Sequence, residues 1–132
     1  MPPYLITIVL PLNDKDAVRK AISEYKNDIA CIAIEPIPAN NGLLIQGNEF
    51  LQFLREICTE NEILLFFDEV ISGFRMGFEG AAGYYNIQPD LIAFGKIIGG
   101  GMPVGAYASS EKVMNHVSPA GPVYQAGTLS GN

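Results

Sequence analysis

Ile63-Leu64-Leu65-Phe66-Phe67-Asp68 is a continuous apolar run closed by an acid. A run this short, with no polar alternation, reads as a strand buried inside a sheet rather than as a surface helix. Two similar runs flank it. Residues 29–34 (Ile-Ala-Cys-Ile-Ala-Ile) read as a strand covered on both faces and end on Glu35. Leu91-Ile92-Ala93-Phe94 leads through Gly95 to Lys96. Helical patterns lie between them. Asn13 or Asp14 can cap a helix over 14–26, with Ala17, Val18, Ala21, Ile22 and Tyr25 on one face. Asn48 can cap a second, with Phe50, Leu51, Leu54, Ile57 and Cys58 as its stripe. Further elements are a first strand over Tyr4–Leu10, a short helix near 81–86, a short strand over Val104–Ala108 and a Ser110-capped helix over 111–117. Strands alternating with helices at this spacing predict an α/β domain with a mainly parallel sheet and flanking helices.

The chain has 132 residues, 48% of them hydrophobic, enough for one domain with a real core and no second domain. Charged residues are 17%, against about a quarter in an average protein. The net charge of −6 argues against nucleic acid or an anionic membrane as the main partner. Cys31 and Cys58 form no C-x-x-C pair and read as reduced core thiols of a cytoplasmic protein. The single histidine, His116, allows no His-based metal site and no catalytic triad, so no metal is expected. No apolar run is long enough to span a membrane and no signal peptide opens the chain. Both ends read as cut, one running straight into a strand and the other stopping in a turn, so a piece of a longer protein is expected.

The three ionisable residues carry the functional reading. In open α/β sheets, ligands bind beyond the carboxyl ends of the strands, and Glu35, Asp68 and Lys96 all stand there. Lys96 follows an apolar strand and sits among Gly95, Gly99, Gly100 and Gly101. That setting predicts partial desolvation, which frees an amine as a nucleophile. Asp68 needs a cation or strong donors if it is buried. A lysine for an aldehyde and a carboxylate for a protonated pyridine nitrogen are what pyridoxal 5'-phosphate (PLP) requires. The plainer alternatives are a surface lysine in a glycine loop and an aspartate capping the next turn. Ile63–Glu69 also matches a Walker B strand, but there is no G-x-x-x-x-G-K-[ST] loop. Glu35 and Asp68 as a glycosidase pair would explain neither Lys96 nor the glycines.

Two longer stretches carry a family resemblance. Residues 65–75 (Leu-Phe-Phe-Asp-Glu-Val-Ile-Ser-Gly-Phe-Arg) resemble the aspartate motif of class III aminotransferases, which are fold type I, aspartate-aminotransferase-like PLP enzymes. Residues 89–106 resemble the lysine motif of the same family. The ending, residues 121–132 (Gly-Pro-Val-Tyr-Gln-Ala-Gly-Thr-Leu-Ser-Gly-Asn), is similar to the glutamate-1-semialdehyde 2,1-aminomutases within it. The resemblance implies Lys96 as the Schiff-base lysine and proton shuttle, and Asp68 as the partner of the pyridine nitrogen. It implies Val70 on the ring face, Gly127 and Thr128 at the phosphate of the neighbouring subunit in a homodimer, and Glu35 and Asn40 as site-lining residues. The implied reaction is intramolecular amino transfer through the pyridoxamine 5'-phosphate form, giving 5-aminolevulinate for tetrapyrrole synthesis from a small amino-acid aldehyde. Residues 1–132 would be one partial domain, lacking the phosphate cup, the ring-stacking aromatic residue, the gating loop and the C-terminal small domain, and inactive alone. Pro38-Ala39 stands where the aminomutase pattern more often has a Gly beside the Asn. Two alternatives remain: a class III aminotransferase with a different amino donor, and a non-catalytic α/β fragment that binds partners through exposed faces.

Overall fold

The computed structural model describes residues 7–127. Its elements run α1 (Lys15–Tyr25), β1 (Cys31–Ile34), α2 (Asn48–Glu60), β2 (Leu64–Glu69), α3 (Gly80–Tyr85), β3 (Leu91–Phe94), β4 (Ala106–Ser109) and α4 (Glu111–Met114), with 3₁₀ turns over Lys26–Asp28 and Lys96–Gly99. The four strands form one sheet in the order β1-β2-β3-β4. The first three are parallel and β4 runs antiparallel to β3. This is the mainly parallel α/β sheet that the sequence predicts.

Side-chain alternation explains which face is covered. Ile32, Ile34, Leu65, Phe67 and Ile92 share one face and pack into the core with Val18 and Ile22 of α1, the stripe of α2, and Ala81 and Tyr85 of α3. Leu51, Leu54, Cys58, Leu65 and Phe67 are fully buried there. Each such apolar side chain contributes roughly 1.5–3 kcal/mol of transfer free energy. The helix starts differ in chemistry. Asp14 caps α1, its Oδ1 accepting from Ala17 N at 2.8 Å. Asn48 is already helical in α2, whose cap Gly47 makes no side-chain bond.

Several expectations are corrected. β1 is not covered on both faces, because Cys31 and Ala33 point away from the helices and are exposed. Cys31 is therefore no core thiol, whereas Cys58 is. Residues 7–10 form no strand, and the rest of the stretch expected as the first strand lies outside the described residues. β2 starts at Leu64 and runs one residue past the quoted stretch, through Asp68 to Glu69. α4 stops at Met114 and Ser110 makes no capping bond. No helix among the described residues is long and apolar enough to cross a membrane.

At the opposite end of the strands from Lys96, Asp90 locks β3 to β2. Its Oδ2 accepts from Leu65 N at 2.7 Å and pairs with Arg55 Nη1 at 2.8 Å. Asp90 N returns a bond to Leu65 O at 2.8 Å. This fixes the β2/β3 register, and the register positions the candidate site.

Candidate functional site

That register pairs Phe66 with Leu91, Phe67 with Ile92, Asp68 with Ala93 and Glu69 with Phe94. Asp68 and Lys96 therefore reach neighbouring carboxyl ends of parallel strands. Asp68 lies on the face opposite the helices, in line with Leu64 and Phe66, and is half-buried. Its Oδ1 accepts from Val70 N at 3.0 Å. This is the turn-capping bond a strand-end aspartate makes, and it fixes the carboxylate's orientation.

Lys96 has φ +46°, in the left-handed region. A residue with a Cβ is uncommon there, and such strain concentrates at functional sites. Leaving the strand in this conformation turns the chain sharply into the 3₁₀ turn 96–99. Gly95 makes the approach to the neighbouring loop: a Cβ there would stand 3.1 Å from Val70 Cγ1. Val70 and the backbone entering Lys96 are thus in contact. The partial desolvation expected for Lys96 is not found in this chain, where its side chain is exposed. The glycines around it leave no bulk to cover it.

The other expected site residues are more dispersed. Glu35 follows Ile34, whose partner is Phe67, so it stands one strand over from Asp68 and is half-buried. Asn40 is exposed in the following turn. Gly127 is exposed beyond the last bridged segment, and Thr128 lies outside the described residues. Asp68, Val70 and Lys96 come to one corner; Glu35 borders it, and Asn40 and Gly127 are set apart in exposed segments.

Glu69 is a feature that the motif reading passed over. It is fully buried, on the helix-facing side of β2, and accepts from Ala81 N, Ala82 N and Ser72 Oγ. The signal was present, because Glu69 follows Leu65 and Phe67 at the period of two that marks one face of a strand.

The segments that meet at this corner carry a lysine with an exposed side chain, a carboxylate oriented on one oxygen by a backbone N–H, and a branched apolar side chain against a glycine. Those groups suit a flat, nitrogen-bearing aldehyde.

The aminotransferase class-III family matches residues 3–132. The chain is 57% identical over 126 residues to a glutamate-1-semialdehyde 2,1-aminomutase of Leptospira biflexa, covering 96% of this chain and 30% of that protein. It superposes on an omega-transaminase from Sphaerobacter thermophilus with TM-score 0.84 and 43% identity, over 92% of this chain and 28% of that one. A transaminase with PLP bound superposes with TM-score 0.83 and 34% identity, over 92% and 29%. The chain spans about 30% of the length of the curated relatives it matches.

Proposed function

Because the chain belongs to the aminotransferase class-III family, we propose that it carries the lysine and aspartate of a PLP site. We also propose that the whole enzyme moves an amino group within glutamate-1-semialdehyde to give 5-aminolevulinate. The observation that carries the reading is the Asp68–Ala93 pairing, which sets a carboxylate beside the strand that delivers Lys96. The name of the Leptospira relative supports the substrate. The PLP-bound neighbour supports the cofactor.

When bound, PLP supplies an aldehyde that takes up amino groups and a ring that accepts the electron pair released at carbon. Lys96 would hold that aldehyde through Nζ, and the same amine would serve as the general base that moves a proton. Asp68 keeps a proton on the pyridine nitrogen. Val70 packs on the ring face, Glu35 and Asn40 line the substrate side, and Gly127 with Thr128 reaches the phosphate across a homodimer. The parent enzyme would be cytoplasmic and use the cofactor in its pyridoxamine 5'-phosphate form as well, and the 132-residue chain alone would have no turnover.

The test is borohydride reduction after incubation with PLP, then peptide mass mapping. It is run on this chain and on a version extended at both ends to the length of the relatives. A pyridoxyl adduct at Lys96 that is lost in Asp68→Ala supports the reading. Labelling spread over all lysines in both versions overturns it and favours the non-catalytic interaction domain.

A second reading, an aminotransferase using a different amino donor, is favoured by Pro38-Ala39 and by the 43% identity to the omega-transaminase. Single-turnover exchange separates the two. Rapid conversion with glutamate-1-semialdehyde and none with ordinary amino donors selects the aminomutase.

A further inference from the structure

We infer that Glu69 is a positioning residue that holds the Val70–Lys96 corner by bolting the end of β2 to the start of α3; its functional meaning rests on the cofactor reading of that corner. Glu69 is the one buried carboxylate among the described residues. A buried acid is costly unless its oxygens are satisfied. Here Oε2 accepts from Ala81 N at 2.7 Å and Ser72 Oγ at 3.0 Å, and Oε1 accepts from Ala82 N at 2.9 Å. The backbone is shaped to permit this. Gly80 has φ +64°, and a Cβ there would overlap Oε2. The Glu69 carbonyl in turn accepts from Gly73 N at 2.9 Å. Both ends of the loop 70–79 are thereby tied to one residue.

That loop is what touches the lysine strand. Val70 packs against Gly95, and the Phe74 ring lies 5.3 Å from the Phe94 ring. Phe94 and Gly95 are the two residues before Lys96, so a shift of the loop shifts the backbone that delivers the amine. Asp68 is held in the sheet by its pairing with Ala93 and meets the loop only through the bond from Val70 N. Releasing Glu69 therefore shifts the loop against the sheet and, through Phe94 and Gly95, the backbone that delivers Lys96, and does more than fray a short helix.

Hydrogen exchange on the full chain separates positioning from simple capping. Ile98 N and Gly100 N are bonded to Gly95 O and Ile97 O, so their amides report on the lysine turn. Glu69→Gln keeps one acceptor oxygen and sets an amide NH2 against the donors of the other, Ala82 N or the pair Ala81 N and Ser72 Oγ. We expect exchange to accelerate about tenfold or more at Ala81–Ala82 and at Ile98 and Gly100. Lys96's share of the total pyridoxyl label should fall with the circular dichroism unchanged. Faster exchange at Ala81–Ala82 alone, with Lys96's share intact, would overturn the inference and leave Glu69 a local cap. Should Glu69→Gln unfold the chain, Ser72→Ala removes one of the three donors and leaves the backbone bonds, and the same two outcomes decide. If neither the unaltered chain nor its extended version shows a preference for Lys96, the cofactor reading fails, while the exchange at Ile98 and Gly100 still decides whether Glu69 holds the corner.

Discussion

Replacing Lys96 with glycine should stabilise the chain relative to replacing it with alanine, although glycine is ordinarily the less stable choice. Lys96 sits at φ +46°. The left-handed region costs a residue with a Cβ about 1–2 kcal/mol, and glycine escapes that cost. Alanine keeps the penalty. Glycine's greater freedom in the unfolded chain takes back about 0.4–1 kcal/mol. The difference leaves Lys96→Gly more stable than Lys96→Ala by about 0.8 kcal/mol, or about 3 °C in Tm for a domain of this size. At an ordinary helical position the order is reversed by about 1 kcal/mol. Urea and thermal unfolding of the two variants, followed by far-ultraviolet circular dichroism, measure the sign directly. On the proposed reading both variants should also lose the specific pyridoxyl adduct, the pattern expected where function and stability trade against each other. Should the alanine variant be the more stable by about 1 kcal/mol, residue 96 is not left-handed and the strain argument fails.

Other variants test the scaffold that delivers the site. Leu54→Ala removes a fully buried side chain under β2, and urea unfolding should show a loss of about 2–5 kcal/mol. Asp90→Ala leaves Leu65 N unpaired inside the sheet and Arg55 without its partner. Its cost should be about 1–3 kcal/mol, and amide exchange at Leu65 should speed up before the rest of β2. The thiols should differ in reactivity, with iodoacetamide alkylating Cys31 in the native chain and Cys58 only after denaturation. Burial pushes the Cys58 thiol up from 9.0 to about 11, against a smaller lowering by Arg55. A raised folded pKa means the neutral thiol is favoured on folding. That contribution is full below pH 9 and is lost as the pH rises through about 11, so Cys58→Ala should flatten alkaline unfolding in that window.

The parts of this molecule legible in the sequence are those governed by local rules. Apolar runs marked β2 and β3, and the α1 start follows from the Asp14 cap. Lys96 and Asp68 stood out because each closes an apolar run with a charge. What stayed hidden depends on tertiary partners. The run 29–34 is as apolar as a two-sided core strand, yet one face of β1 is open, because continuous apolar sequence says that a strand can be covered and not what covers it. The exposure of Lys96 has the same origin. Glycines that let a flat ligand approach also leave nothing of the chain itself over the amine. Glu69 was hidden for the opposite reason. Beside Asp68 in the motif it resembles a second acid of the site, and only the pleat separates them. Asp68 turns outward, where a ligand can reach it, and Glu69 turns inward to three donors. One step along β2 thus divides the acid that can meet a cofactor from the acid that holds the frame. Neutralising Asp68 should therefore abolish the Lys96 adduct with little loss of stability, while neutralising Glu69 should lower both.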